Sequence, residues 1–196
     1  MTNCLLALAI ALVVSGCSSF NFGRVGKDVA APSTEYSILV LGVSPSDYTL
    51  TIFPGQMKDG KFNQDQLKSA AISGPPIDGF VVAQVPAGQT LALLRTYRVN
   101  KDGTNIVGSL VGAWGAASTM VFEVPQGKVL HMGDVRYQPV GKRVQVEFGK
   151  NFEAAKAYID SQYPALRGRL EPGTFELVPT TVPCTTTTTV PIYIRR

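Results

Sequence analysis

The 196-residue sequence contains few of the groups that carry catalytic or metal chemistry. It has one histidine, His131, and three cysteines, Cys4, Cys17 and Cys184, with no Cys-x-x-Cys pair. Zinc sites and many nucleophile–base pairs depend on these two residue types. No glycine-rich phosphate loop joins a strand to a helix, and no paired-carboxylate motif occurs. The sequence therefore predicts no cofactor, no metal site and no enzymatic activity.

The sequence is also poor in charge. Charged residues make up 16% of the chain, and the formal net charge is +4. The densest basic pairs are Lys142-Arg143 and Arg195-Arg196, and aromatic residues do not alternate with basic ones. Such a mild excess is typical of a solvated surface and predicts no nucleic-acid partner, although weak attraction to anionic lipid or polysaccharide stays open.

Long hydrophobic runs are missing as well. The longest, residues 5–14, has ten apolar residues, which is about half the length needed to cross a membrane. That length is typical of the core of a secretory signal peptide. Small residues Ser15 and Gly16 follow, then Cys17, and residues 1–16 carry no charge. We therefore expect residues 1–16 to be a signal peptide that is removed.

The four residues Val14-Ser15-Gly16-Cys17 resemble the lipobox of bacterial lipoproteins. The resemblance implies cleavage after Gly16 and attachment of acyl chains such as palmitate to Cys17, which would anchor the protein to membrane lipid. Ser18, rather than Asp, implies the outer membrane if the organism has two membranes. One departure is that residues 1–4 lack the usual positive charge. The alternatives are an uncleaved signal anchor, or a buried N-terminal helix whose cysteine is incidental.

Three segments follow from this interpretation. Residues 1–16 are the signal peptide, residues 17–34 a lipidated flexible tether rich in small and polar residues, and residues 35–196 a single domain. Once Cys17 is acylated and Cys4 removed, Cys184 has no partner within the chain. An intermolecular disulfide through Cys184 is the alternative to a free thiol. No basic group or second histidine near Cys184 in the sequence would activate it as a nucleophile.

Short apolar stretches separated by Gly and Pro predict a mainly β domain. One helix is indicated from the N-cap Asn151 to Pro164, since Phe152, Ala155 and Ile159 fall on one face. A weaker helical pattern lies within residues 58–73, and Pro54-Gly55 is expected to end the second strand. The predicted strands outside the repeated motif cover residues 36–43, 47–53, 143–148 and 174–178.

A Val-Pro-x-Gly motif occurs twice, at residues 85–88 and 124–127. Pro fixes φ at the start of a turn and Gly allows positive φ further on, so each motif predicts a β-hairpin. The hairpins would pair residues 80–85 with 90–99 and residues 119–124 with 128–137. A duplicated binding loop is the functional alternative.

Two further stretches leave alternatives open. Residues 106–117, rich in Gly and Ala around Trp114, fit either a buried strand or an exposed apolar loop that touches lipid or a partner. Residues 180–194 are rich in Thr and Val and contain Pro183 and Pro191. This composition favours a closing edge strand with threonines facing water, with a sugar-decorated stalk as the alternative.

Residues 75–165 are similar in layout to uncharacterised bacterial lipoproteins that carry a small prealbumin-like β-sandwich. The shared features are Gly79-Phe80-Val81-Val82 before the first Val-Pro-x-Gly, then residues 122–128 leading to Met132-Gly133-Asp134-Val135, and a helix ending at Tyr163-Pro164. The resemblance implies an antiparallel β-sandwich, prealbumin-like or Ig-like, with one helix. It implies no activity, because that family has no agreed function.

Strand alternation places His131 and Asp134 on opposite faces, so they are not expected to form a dyad. The sequence thus favours a lipid-anchored cell-envelope protein that acts as a non-catalytic accessory or binding module for protein or cell-wall partners. Two alternatives are an envelope enzyme acting on glycan or lipid, with a deep acidic cleft or His131, and a carrier of a small apolar ligand, with a lined cavity.

Overall fold

The computed structural model of the protein describes residues 23–102, 104–106, 110–113, 117–140 and 143–182. Within these residues the fold is mainly β, with one α-helix, α1 (Phe152–Gln162), and a short 3-10 helix at Pro164–Leu166. None of the described helices is long and apolar enough to span a membrane. The strands are β1 (Tyr36–Ser44), β2 (Leu50–Lys58), β3 (Lys61–Gln64), β4 (Ile72–Gly74), β5 (Phe80–Pro86), β6 (Thr90–Thr96), β7 (Val111–Gly112), β8 (Ser118–Glu123), β9 (Val129–Val140), β10 (Arg143–Gly149), β11 (Leu170–Pro172) and β12 (Glu176–Pro179).

These strands form two sheets, which confirms the predicted β-sandwich with one helix. The first sheet has the order β10-β9-β1-β5, with β11 beside β9. Most pairings in the molecule are antiparallel, but β1 and β11 both run parallel to β9. β11 and β10 lie along the same edge of the long strand β9, with β11 beside its first residues and β10 beside its last. β1 lies along the other edge.

The second sheet has the order β12-β8-β6-β2-β3, with β4 beside β2 and β7 beside β6. It curls until its ends meet, since Phe62 of β3 bridges Thr180 just after β12, and the Thr181 N–H donates to the Phe62 carbonyl at 3.0 Å. An apolar cluster fills the curl, formed by Phe62, Ala92, Leu94, Val121, Val178 and Val182. Both outer strands of this sheet thereby gain a partner, which removes unpaired edges.

The main core lies between the two sheets, and β1 shows how it is built. Leu39 and Leu41 point into this core, whereas Ile38 and Val40 point to the opposite side, towards α1. All four are fully buried. A strand covered on both faces is expected to be apolar throughout, and this explains why the run in residues 36–43 is continuous and not alternating.

Helix α1 forms where the sequence predicts it. The Asn151 side chain accepts from the Ala154 N–H, and the helix ends before Pro164. Ala155 and Ile159 are fully buried against the outer face of the first sheet. Burying a side chain of the size of Ile159 contributes about 1.5–3 kcal/mol, so packing and capping together hold this helix in place.

Two local predictions are wrong. Strand β2 continues through Pro54 and Gly55 to Lys58, because β6 and β3 pair with it on either side. No helix forms within residues 58–73: the chain reverses at Asp59 and Gly60 and returns as β3. Leu67, part of the supposed helical face, is 97% exposed. Tertiary pairing overrides the weak helical pattern here.

Candidate functional site

The largest cleft near the helix lies at one end of the first sheet, which we call the cleft end. It has a volume of about 630 Å³ and is lined by the last residues of β1, the first of β5, the middle of β9 and the start of α1. Its polar side chains are Ser44, Asp134, Arg136, Glu147, Lys150 and Asn151. Carboxylates and cations therefore meet in one depression, a setting that suits a polar or zwitterionic partner.

A bulge in β9 brings His131 and Asp134 to the same side, so the prediction that they lie on opposite faces is wrong. The pairing of β1 with β9 shifts by one residue here, with Val40 opposite His131 and Leu41 opposite Gly133. Gly133 has a φ of 123°, which side-chain-bearing residues rarely adopt. An extra residue at a bulge reverses the alternation beyond it, and this places the His131 Nε2 atom 3.4 Å from Asp134 Oδ1.

Asp134 joins three parts of the fold. Its Oδ1 faces His131, its Oδ2 accepts a short hydrogen bond from the Asn151 N–H, and its carboxylate packs directly over Gly42. A Cβ at Gly42 would lie 2.0 Å from Asp134 Oδ1, so only glycine fits below the carboxylate. Asp134 thus ties β9 and β1 to the start of α1.

The two members of the pair differ sharply in accessibility. The His131 side chain is 2% exposed and lies beside Phe152, with 6.1 Å between ring centroids, whereas Asp134 is 26% exposed. Burial raises the pKa of the Asp134 carboxyl, but His131 and the Asn151 N–H together lower it more, so the net pKa is below its ordinary value. At neutral pH Asp134 is an ionised acceptor engaged with the fold. Its geometry is that of a structural anchor at the edge of the cleft.

The opposite end of the first sheet carries both Val-Pro-x-Gly motifs, and we call it the turn end. Neither motif forms a hairpin, so this prediction is wrong. β5 and β9 belong to the first sheet and β6 and β8 to the second, and each motif carries the chain from one sheet to the other. Gly88 and Gly127 adopt φ values of 76° and 66°, as the turn chemistry requires. The pattern predicts the turn correctly but not the partner of the strand that follows.

The two turns bind each other. The Gly88 N–H donates to the Val124 carbonyl at 2.8 Å, and the Val124 N–H donates to the Gln89 carbonyl at 2.9 Å. Ser37, fully buried, bridges the second turn, because its hydroxyl donates to the Pro125 carbonyl and accepts from the Lys128 N–H. These contacts fix the shape of the turn end through backbone atoms, and they account for the repeat without a duplicated binding loop.

The N-terminal segment of the described chain also lies on the first sheet. Arg24 bridges Ala83 of β5, the Gln84 N–H donates to the Gly23 carbonyl, and the Val25 N–H donates to the Val82 carbonyl. Val25 and Val29 pack against the cluster under α1. The second half of residues 17–34 is therefore in contact with the domain and covers the free edge of β5. The chain approaches this edge from the turn end, because it runs antiparallel to β5.

A smaller pocket, which we call the Tyr137 pocket, opens between the two sheets. Its volume is about 250 Å³. Most of its wall is apolar, with Leu93 and Leu94 from β6 and Val144, Val146 and Phe148 from β10. Thr96, Thr119 and Tyr137 supply its buried polar atoms. Such a mixture of apolar wall and few polar groups is typical of sites for small organic ligands.

Several predicted residues lie outside the described residues. These are the lipobox Val14, Ser15, Gly16 and Cys17, the unpaired Cys184 and Trp114. In the described part of the chain no group of three His, Cys, Asp or Glu residues could hold a metal ion. Comparisons with protein-family models, with curated proteins and with solved structures found no match.

The contributions of Asp134 and Ser37 to the fold were not predicted from the sequence. One signal was available for Asp134, because a glycine inside a strand, such as Gly133, often marks a bulge. Had a bulge been predicted at Gly133, His131 and Asp134 would have been placed on the same face of the strand. Ser37 gave no signal, since its two partners, Pro125 and Lys128, are about ninety residues away.

Proposed function

We propose that the protein is a lipid-anchored cell-envelope protein whose β-sandwich serves as a non-catalytic binding module for a protein or cell-wall partner. The acylated Cys17 attaches it to membrane lipid, in the outer membrane if the organism has two membranes. The cleft end presents the charged depression to the partner. The observation that carries the proposal is the position of the docked segment 23–25 relative to the cleft.

Covalent geometry limits how far the domain can stand from its anchor. Six Cα–Cα steps separate Cys17 from Gly23, where the chain meets β5. At 3.3–3.6 Å per residue they span at most about 22 Å. The chain reaches β5 from the turn end, so the lipid would lie on that side. The cleft, at the other end of β1, would then face away from the membrane, where a partner in the envelope can reach it.

The cleft supports binding more than catalysis. Arg136 and Glu147 face each other at 3.9 Å, and Lys150 lies over the Phe175 ring at 5.2 Å. These side chains are accessible enough to exchange such contacts for contacts with a partner. His131, the single imidazole of the sequence, is sealed beneath Asp134 and Phe152 and is not part of the cleft wall.

The anchor is tested by Cys17→Ala in cells fed a labelled fatty acid. We expect this variant to lose the label and to leave the membrane fraction, whereas the matched Cys184→Ala variant keeps both. Acyl chains contribute about 0.8 kcal/mol for each buried methylene, so loss of membrane retention should be complete. Unchanged labelling and retention in Cys17→Ala would refute the lipid anchor.

The binding face is tested by photo-cross-linking in intact cells. A photoreactive residue replaces Lys150 in the cleft or, as a control, Leu67, which is 97% exposed on the loop after β3. We expect one defined adduct from position 150 and none from position 67. The adduct should disappear when Arg136 and Glu147 are both changed to Ala. Equal capture at both positions, or none at position 150, would count against a cleft-end partner.

A further inference from the structure

Strand β10 has one open edge. It pairs with β9 on one side, and no other described strand pairs with it. Each of the other described strands of six or more residues has backbone partners along both edges, including β5, which is covered by the segment at Arg24. An open edge presents unpaired N–H and C=O groups, which form a template for a strand of another chain.

β10 also lacks the features that usually block such an edge, which are proline and charged side chains that point inwards. It contains no proline, and its inward side chains Val144, Val146 and Phe148 are apolar. These three pack against the main core but are only partly buried, whereas their neighbours on β9, Val135 and Tyr137, are at most 2% exposed. The open edge therefore keeps an apolar inner face that an added strand would cover.

The two faces of β10 border two different depressions. On the inner side, Val144 and Val146 line the Tyr137 pocket, and on the outer side Glu147 lines the cleft. Side chains of neighbouring strands alternate in step, so a strand beside β10 would direct every second side chain towards the pocket side and the others towards the cleft side. The pocket also has polar lining residues, all from outside β10: Arg95, Thr96, Ser118 and Thr119. An inward side chain next to Val144 and Val146 thus has apolar neighbours on its own sheet and should itself be apolar.

Glu147 sets the preferred charge on the outer side. Its side chain is 42% exposed, with Arg136 at 3.9 Å and Gln138 at 3.2 Å, and both of these lie on β9, away from the open edge. Gln145 contacts the same carboxylate along β10 itself at 3.4 Å. A basic residue of an added strand opposite Glu147 would form the kind of cross-strand ion pair that stabilises sheets.

A second copy of the chain fits this edge poorly. Two β10 strands could pair antiparallel about a two-fold axis, which would point the two turn ends in opposite directions. Val129 at the turn end lies eight residues along β9 from Tyr137, which pairs with Val146 at the middle of β10. At about 3.3 Å per residue, the two turn ends would be about 50 Å apart along the strands. With one turn end at the membrane, the other lies beyond the reach of a tether of about 22 Å. The occupant is therefore a different protein.

We propose that the open edge of β10 binds an extended segment of another protein, in which apolar residues alternate with polar ones and a basic residue faces Glu147. The segment extends the first sheet beyond β10, with its apolar side chains beside Val144 and Val146 and its polar side chains towards the cleft. In such strand addition, backbone hydrogen bonds supply affinity and the alternate side chains supply specificity. The inference rests on the proposed function and names its partner as a protein strand and not a cell-wall polymer.

Disulfide trapping of synthetic peptides on the full chain in lipid nanodiscs tests the proposal. Gln145, exposed in the middle of β10, is changed to Cys in a Cys184→Ala background. The first probe is acetyl-Val-Lys-Val-Cys-Val-Thr-Val-amide, and the second exchanges its lysine and threonine. The first places lysine opposite Glu147 if the peptide runs antiparallel to β10, and the second does so if it runs parallel. Mass spectrometry measures and locates the mixed disulfide in a glutathione buffer.

We expect one of these two peptides to be trapped about twofold to fivefold more than the other, the effect of one cross-strand ion pair. Glu147→Lys should reverse the preference, because lysine would then face a like charge. A third peptide, in which the cysteine exchanges places with the valine before it, has its alternation out of phase and should be trapped least. Leu67→Cys, on the exposed loop after β3, is the matched control, and there all three peptides should react alike.

The outcomes separate this inference from the proposed function. Equal trapping of the three peptides at position 145, or the same preferences at position 67, would overturn the strand site, even if position 150 captures its adduct in cells. The expected trapping pattern without an adduct at position 150 would support the strand site and count against the cleft-end partner. A photoreactive residue in place of Gln145 should capture the same protein as position 150. An adduct with the mass of two copies of this chain would overturn the proposal in favour of self-association.

Discussion

The two ends of the first sheet are held by different kinds of contact. At the turn end, backbone hydrogen bonds join the turn at Gly88 to the one before Gly127, and Ser37 adds two more. At the cleft end, one ionised side chain, Asp134, joins β9 to β1 and to the start of α1. The turn end therefore depends on chain conformation, whereas the cleft end depends on a charge.

The contacts at the turn end fix the shape of the fold, whereas the contact at the cleft end depends on a charged side chain. Backbone contacts at the turn end hold the two sheets together, and the charged pair Lys128–Glu171 lies on its surface. The cleft end keeps Arg136, Glu147 and Lys150 accessible around an anchored carboxylate. The same comparison shows where the fold is most sensitive to a single substitution.

The largest loss of stability is expected from Asp134→Ala. This change leaves the Asn151 N–H without its acceptor and removes the carboxylate that lies 3.4 Å from His131 Nε2. A hydrogen bond to a charged group contributes about 1.5–3 kcal/mol. We expect the free energy of unfolding to fall by about 3 kcal/mol in urea titrations. The equivalent change at the turn end, Ser37→Ala, should cost only about 1–2 kcal/mol, because its contacts are neutral.

A surface carboxylate serves as the control for both variants. Glu171 pairs with Lys128 at 2.9 Å, but both side chains are about half exposed. Glu171→Ala should change the free energy of unfolding by less than about 1 kcal/mol. If Asp134→Ala is no more harmful than Glu171→Ala, the cleft end is not held by this carboxylate.

Substituting one glycine at each end should lower the free energy of unfolding by a smaller amount, and by a different amount at the two ends. Gly133, in the bulge, has positive φ, and a Cβ there would lie 2.9 Å from the Gly149 carbonyl oxygen and 3.0 Å from the Phe175 ring. Gly88, in the first turn, also has positive φ, but nothing lies within 4 Å of its Cβ position. We expect Gly88→Ala to cost about 1 kcal/mol from backbone strain and Gly133→Ala about 2 kcal/mol, as strain and crowding add.

Differential scanning calorimetry of the two variants measures this difference directly. Gly60, at positive φ and with no heavy atom within 4 Å of its Cβ position, provides a control for strain alone. Gly60→Ala should resemble Gly88→Ala. Equal melting temperatures for Gly133→Ala and Gly88→Ala would show that the bulge is not tightly packed.

The sequence was sufficient for features that depend on neighbouring residues. The continuous apolar run of β1, the Asn151 cap and the turn geometry at Gly88 and Gly127 each follow from local chemistry. The pairing of the strands did not follow, because a Pro-x-Gly turn suits a hairpin and a crossing between sheets equally well. The choice depends on which strand the next segment meets, and that is decided by distant contacts such as those of Ser37.

The candidate site was missed for the same reason. Simple alternation separates His131 from Asp134, and the one-residue shift at Gly133 reverses that result. The helix predicted within residues 58–73 failed because β2 offered pairing along both of its edges, through Pro54 and Gly55. Local sequence patterns thus predicted most of the helices and strands. The register of the strands and the positions of the charged side chains depend on tertiary contacts.

The smallest expected effect concerns pH and again separates the cleft end from the turn end. The pKa of Asp134 is lower in the folded protein than its ordinary value of 3.8, because His131 and the Asn151 N–H outweigh burial. The stabilisation is therefore fully present above about pH 4 and is lost as the pH falls through the folded pKa. We expect the stability advantage of the wild type over Asp134→Asn to shrink as the pH falls below about 4. The loss caused by Ser37→Ala, which removes no titrating group, should stay constant over the same range. A constant difference between wild type and Asp134→Asn down to pH 3 would mean that Asp134 is not held as an ionised acceptor.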